Sequence, residues 1–221
     1  MNNSLKIVVI DYGSGNLRSV AKALETHGIS PCVTSEPSQL NDADGVILPG
    51  VGSGPAAMDA LRARGLVEPL KSYLASGKPF LGVCLGLQVL LDHTEEGDAA
   101  CLGIVPGKVR KLPIEKLPAG QKVPHMGWNS VEFTKSHPIL KDIPQRSYFY
   151  CVHSYYADPT DADAVAGITE YGVSFCSVYA RGNLVATQFH PEKSGSTGLK
   201  IYRNFVSLAA EHKLKPAVNS A

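Results

Sequence analysis

The sequence predicts an α/β fold: a doubly wound, mostly parallel sheet with an additional antiparallel β region in the second half. Three observations predict it. Short apolar runs alternate with helical patterns from Leu5 to Leu91, the mark of strand–helix–strand units with helices on both faces. From Cys101 to Ala186 the helical period fades and short β-rich runs replace it. The early strands end at Asp11, at Pro49–Gly52 and at Cys84, and sites in such sheets lie beyond the carboxyl ends of strands.

Leu5–Ile10 reads as a buried strand. After the turn Gly13-Ser14-Gly15-Asn16, the residues Leu17, Val20, Ala21 and Leu24 recur at helical spacing, and Gly28 stops the helix. Asp44–Leu48 is the next strand, and Pro55 suits the first turn of a helix reaching about Arg64. Leu66–Ala75 continues as a second helix and stops at Gly77. Pro79–Val83 is a strand running into Cys84, with Leu85–Leu91 as the helix behind it. This half is flavodoxin-like in pattern. Strands then follow at Gly107–Leu112, Ser130–Thr134, Ser147–Tyr156, Ala164–Thr169, Ser174–Tyr179 and Leu184–Gln188. A final helix covers about Thr197–Ala210.

With 221 residues, at roughly 150 per domain, one domain is expected over residues 1–211, with a loose tail at 212–221. A formal charge of +1 gives no reason to expect nucleic acid or an anionic membrane as partner. No apolar run approaches the roughly 18 residues of a spanning helix, and Met1-Asn2-Asn3-Ser4 lacks a basic leader region. Five widely spaced cysteines without a CxxC pair suggest neither a disulfide framework nor a zinc ribbon. A reducing, cytoplasmic setting fits, and neither metal nor cofactor is expected.

Gly82-Val83-Cys84-Leu85-Gly86 is a G-x-C-x-G between a strand and a helix. It follows the geometry of a nucleophile elbow, with sulfur in place of a hydroxyl. The helix N-terminus behind it favours thiolate. The plain alternative is a small buried core cysteine. A nucleophile needs a base and a group that orients the base. His190-Pro191-Glu192 offers both, since residues i and i+2 of an extended stretch share a side. Pro49-Gly50-Val51-Gly52 can present backbone N–H groups to a developing oxyanion, at Val51 and Gly52. The N–H of Leu85 is the second natural donor. Alone, that segment would be an ordinary turn. Gly13–Asn16 lacks the full phosphate-loop pattern.

The set P-G-V-G, G-V-C-L-G-L-Q and Q-F-H-P-E-K-S resembles the class I glutamine amidotransferases of the Cys-His-Glu type, from Lys6 to about Ser207. Asp11–Asn16, Pro124–Asn129 (P-H-M-G-W-N) and Val152–Tyr156 narrow the resemblance to the glutaminase subunits that serve imidazole glycerol phosphate synthesis. The resemblance implies that Cys84, His190 and Glu192 hydrolyse glutamine to glutamate and ammonia. It implies substrate contacts at Gly50, Gln88, Ser154 and Tyr155. It also implies a separate (β/α)8-barrel cyclase subunit, forming a heterodimer. That subunit would use the ammonia to turn a ribulosyl aminoimidazole-carboxamide nucleotide (PRFAR) into imidazole glycerol phosphate and AICAR, in histidine biosynthesis. A barrel needs about 250 further residues, for which this chain has no room. Ammonia is mostly protonated at neutral pH, so the site should face an interface. Asn16, Trp128, Tyr150 and Lys193 are its candidates. Gln88 as a helix cap, Ser154, Tyr155, Trp128 and Tyr150 as packing, and Lys193 as a solvated charge remain open. So do three other functions: a glutaminase for anthranilate, GMP, carbamoyl phosphate or pyridoxal phosphate synthesis, a cysteine peptidase, and a non-catalytic binding protein. Leu85 directly after the elbow cysteine counts against the peptidase, whose relatives can carry histidine there.

Overall fold

The computed structural model describes residues 5–214. The first half builds β1 (Ile7–Ile10), α1 (Leu17–Glu25), β2 (Cys32–Thr34), β3 (Gly45–Gly50), α2 (Gly54–Ala63), α3 (Val67–Ala75), β4 (Phe80–Cys84) and a one-turn α4 (Leu85–Gln88). The second half adds β5 (Leu91–Thr94), β6 (Ala99–Ala100), β7 (Val105–Lys111), β8 (His125–Phe133), β9 (Ser147–His153), β10 (Tyr155–Pro159), β11 (Val165–Glu170), β12 (Ser174–Arg181), β13 (Leu184–Thr187) and α5 (Gly195–Leu214).

All four residues of β1 are buried because the strand has helices on both faces. Ile7 and Val9 pack with Val20 and Leu24 of α1 and with Ile201, Phe205 and Ala209 of α5. Val8 and Ile10 pack with Met58 and Leu61 of α2 and with Leu70 and Tyr73 of α3. Two apolar layers thus sandwich the parallel strands, each large buried side chain stabilising the fold by about 1.5–3 kcal/mol.

The sheet runs β2-β1-β3-β4-β13-β12-β10-β7-β5-β6. From β2 to β13 every pairing is parallel. β12 is antiparallel to β13, and the antiparallel region branches there, since β11 pairs with β12 and β8, and β9 with β8. β13 therefore joins the two halves. Its register against β4 pairs Leu184 with Phe80 and Thr187 with Val83. Chain leaving β13 after Thr187 thus emerges beside Cys84.

Several elements differ from the expectation. The helix expected over Leu85–Leu91 is one turn long, and β5 begins at Leu91. A short apolar run does not distinguish helix from strand by period, and here pairing with β7 decides. β2 and β6 also lay outside the sequence reading. The single strand expected over Ser147–Tyr156 breaks at Ser154, because β9 pairs with β8 whereas β10 pairs with β7 and β12. β8 starts at His125, five residues before the expected Ser130. The boundary at residue 211 falls inside α5. Residues 212–214 remain helical, with Lys213 paired to Asp44 at 2.8 Å. The rest of the expected tail, 215–221, lies outside the described residues.

α5 reaches the sheet's carboxyl edge because Gly198 has no side chain. A Cβ there would lie 2.0 Å from the Pro191 carbonyl oxygen. Gly198→Ala gains helix propensity of roughly 1 kcal/mol but must push α5 off the 191–194 turn, an overpacking cost of about 1–3 kcal/mol. A net loss of stability is expected, read as a lower urea midpoint with unchanged slope. An unchanged or higher midpoint would show that this close approach constrains nothing.

Candidate active site

Cys84 ends β4 and opens α4 with φ 54° and ψ −104°. Non-glycine residues rarely adopt positive φ, and such strain costs on the order of 1–3 kcal/mol. The flanking glycines make the turn feasible. A Cβ on Gly86 would sit 1.9 Å from the Leu48 carbonyl oxygen, and one on Gly82 would sit 2.7 Å from the Gly86 carbonyl oxygen. The turn is closed by backbone against backbone, and the sulfur projects at the sheet's edge.

His190 and Glu192 follow β13. His190 Nδ1 lies 2.9 Å from Glu192 Oε1, and each side chain is only 1% exposed. Tyr202 of α5 donates to Glu192 Oε2 at 3.3 Å. The backbone is fixed as well: the His190 N–H donates to the Tyr150 carbonyl at 2.9 Å, and the Ser194 hydroxyl donates to the His190 carbonyl at 2.6 Å. Burial pushes the His190 pKa down, but the negative charges at Cys84 and Glu192 outweigh it and lift it to about 10. The geometry favours an imidazolium facing the sulfur. His190 Nε2 is the one buried side-chain nitrogen or oxygen without a hydrogen-bond partner among the described residues. It faces the sulfur's charge and remains available for proton transfer.

A cleft of about 160 Å3 opens in front of the sulfur, lined by Val51, Gly52, Leu85, Gln88, Ser154 and Tyr155 with Val152 and His153. That is smaller than the roughly 300–1,000 Å3 of drug-sized sites and suits an amino-acid-sized molecule. Gly50 pairs with Cys84 in the β3–β4 register, and a Cβ there would lie 2.3 Å from the Tyr12 hydroxyl. The Pro49–Gly52 segment can approach α4 only without that Cβ. The clefts of about 420 and 520 Å3 around Tyr73 and around His137 lie away from Cys84.

Trp128, Tyr150 and Lys193 form one cluster beside His190. Trp128 is 55% exposed and meets the Tyr150 ring edge-on at 6.3 Å, and the Lys193 ammonium lies 5.8 Å over that ring. Asn16 precedes α1, which packs on the 191–193 turn.

Sequence reasoning missed Gln188. It is fully buried, donates from Nε2 to Cys84 Sγ at 3.8 Å, and accepts from Gln88 Nε2 at 3.2 Å. Its signal was present: two residues before His190, it shares that residue's side of the extended chain. Also missed was a buried trio, His125, Cys151 and His153, whose nitrogen and sulfur atoms lie within 4.8 Å of one another and could hold a metal ion. Burial pushes the Cys151 thiol up to about 12, and pushes His125 down to about 4 and His153 to about 3. Without a metal, these groups stay neutral.

Among the described residues, no helix is long and apolar enough to cross a membrane. A family model described as glutamine amidotransferase class-I matches residues 8–208. The imidazole glycerol phosphate synthase subunit HisH of Dehalococcoides mccartyi (strain CBDB1) is 48% identical over 94% of this chain and 99% of its own. The protein of the same name from Aromatoleum aromaticum is 49% identical over 92% and 98%. Two solved structures share the fold. A putative GMP synthase subunit from Thermoplasma acidophilum has a TM-score of 0.71 at 21% identity, covering 96% of each chain. PurLQS of Thermotoga maritima has a TM-score of 0.71 at 19% identity, covering 92% of this chain and 98% of that one.

The depressed His125 and His153 set a pH dependence. Folded, they stay neutral down to about pH 4 and 3; unfolded, they protonate near 6.5. Between those values the unfolded chain binds more protons, so stability falls as pH falls from 6.5 towards 4. Denaturant titrations across that window should show this slope, and His153→Asn should reduce it by close to one proton. Identical slopes in both proteins would contradict the assignment.

Proposed function

The chain belongs to the class-I glutamine amidotransferase family, and on that premise we propose that it hydrolyses glutamine and passes the ammonia to a synthase subunit making imidazole glycerol phosphate in histidine biosynthesis. What supports the reading most is the environment of Cys84: a sulfur on a strained elbow, facing an imidazole that a buried carboxylate holds from behind.

In this reaction the Cys84 thiolate bonds to the carboxamide carbon of glutamine. The negative charge moves to the amide oxygen, which backbone N–H groups near Val51–Gly52 and at Leu85 receive. One such donor is worth roughly 10²–10³ in rate. The tetrahedral carbon expels ammonia, whose nitrogen takes the His190 Nε2 proton. Water then attacks the thioester and gives its proton back to His190. Glutamate leaves and the sulfur is free again. Glu192 holds the tautomer and stabilises the imidazolium. Gly50, Gln88, Ser154 and Tyr155 flank the bound glutamine.

The acceptor site belongs to a (β/α)8-barrel cyclase subunit that consumes PRFAR and releases AICAR. The exposed Trp128, with Tyr150 and Lys193 beside it and Asn16 across the 191–193 turn, forms the docking face. Aromatic side chains are favoured anchors of such faces. A reducing cytoplasm keeps the Cys84 sulfur from being oxidised.

Glutamate release should be slow from the chain alone and accelerate strongly when the nucleotide and the barrel partner are added. Cys84→Ala should abolish it. Glu192→Gln should lower kcat by at least about a hundredfold, by analogy with loss of the orienting carboxylate in other triads. Full activity in Cys84→Ala, or stimulation only by a synthase of different chemistry, would overturn the assignment.

A further inference from the structure

Behind the cleft runs a chain of hydrogen bonds that the reaction above does not use. The Asn129 amide nitrogen lies 3.3 Å from His125 Nε2; His125 Nδ1 lies 3.0 Å from His153 Nε2; His153 Nδ1 lies 2.9 Å from the Tyr155 carbonyl. Gln88 Nε2 donates to that same carbonyl at 2.7 Å and to Gln188 Oε1 at 3.2 Å. Gln188 Nε2 then meets Cys84 Sγ at 3.8 Å. The residues come from β8, β9, α4 and the end of β13, and meet in the buried core of the site.

Every proton in this chain has one allowed place. A carbonyl only accepts, so His153 Nδ1 carries the proton and its Nε2 accepts from His125 Nδ1. His125 Nε2 must then accept from Asn129. The Asn129 amide is pinned independently, its nitrogen donating to the Glu170 carbonyl at 3.1 Å and its oxygen accepting the Ser130 N–H at 2.8 Å. A proton added to either histidine would set N–H against N–H. At the other end, Gln88 spends both amide protons, on Tyr155 and on Gln188. Turning the Gln188 amide over would oppose two N–H groups at Gln88 and aim a carbonyl oxygen at the sulfur.

We propose that Gln188 is a catalytic residue whose amide is locked by Gln88, itself oriented by the Tyr155 carbonyl, so that an N–H always meets the Cys84 sulfur. The proposal rests on the glutaminase reading, because a fixed donor at the sulfur matters only if Cys84 reacts as a thiolate. A hydrogen bond to the charged form of a group favours that form, and one to an ion is stronger than a neutral one. His153 is a positioning residue: it donates to the same Tyr155 carbonyl and fixes its place, and Asn129 and His125 hold the His153 ring. Cys151 Sγ donates to the Phe149 carbonyl at 3.9 Å and stands outside the chain.

The test is the pH profile of Cys84 alkylation by iodoacetamide in the full chain, with the Cys84 peptide quantified by mass spectrometry. The other titratable groups facing the sulfur are His190 from the turn after β13, Tyr12 from the loop after β1, and Cys151 from β9, with Glu192 behind His190. All are unchanged in the variants. Gln188→Met keeps the length without the donor. It should raise the acid-side midpoint by about one pH unit, roughly a fivefold slower reaction at the wild-type midpoint. His153→Leu should shift the midpoint the same way by a smaller amount. His153→Asn, whose amide can still donate to Tyr155, should restore it. A folded Gln188→Met with the wild-type midpoint overturns the proposal. If that variant does not fold, the His153 pair decides: equal midpoints for Leu and Asn overturn it. Wild-type turnover of glutamine is measured in parallel. Its absence would sink the glutaminase reading, while the midpoints still judge the amide's orientation.

Discussion

The site depends on one backbone constraint, the parallel pairing of β13 with β4. Cys84 and His190 are more than a hundred residues apart, and no local geometry can bring them together. The pairing of Thr187 with Val83 does so, because both chains then leave the sheet at the same edge. β13 is buried and carries parallel neighbour β4 on one side and antiparallel β12 on the other. A one-residue slip would turn every side chain of the strand to the opposite face, taking Val185 from its apolar layer and Gln188 and His190 from the sulfur. Register thus fixes the chemistry.

Around that edge the structure repeatedly brings backbone against backbone where a Cβ cannot fit. Gly86 lies on Leu48, Gly82 on Gly86, and Gly198 on Pro191. Each contact draws one element of the site inwards: the elbow, the strand beneath it, and the helix that supports the His190–Glu192 turn. The strain at Cys84 is held by the β4 pairings on both sides and by α4. A residue in such a conformation persists only where its surroundings overdetermine it.

How far the site was legible depended on whether a residue's signal was local. The parallel strands and their helices could be read because apolar period and glycine stops lie within single segments. Cys84 between glycines, and His190 two residues before Glu192, were legible for the same reason. The cleft collects Val51, Gly52, Leu85, Gln88, Ser154 and Tyr155 from separate segments. β5 was hidden because its leucines suit a helix equally well until β7 claims them. The break at Ser154 reflects a change of strand partners, which no single segment records. Gln188 and the His125–His153 pair were missed because a buried polar residue declares its role only through partners far along the chain.

Two cysteines border the same edge, and electrostatics separates them. Cys151 is buried, its thiol is pushed up to about 12, and its histidine neighbours are held neutral by the same burial. Nothing there stabilises a thiolate. At Cys84 burial acts on the histidine in the same direction, but the sulfur stands in front of the ring and Glu192 2.9 Å behind it, and together they win. Burial alone therefore does not decide the charge of a histidine; the sulfur and the carboxylate on the two sides of the imidazole do. His153 faces a carbonyl where His190 faces a carboxylate. The charges of the sulfur and the carboxylate keep the His190 ring protonated, while His153, facing a dipole and two other imidazoles, stays neutral in the same corner of the protein.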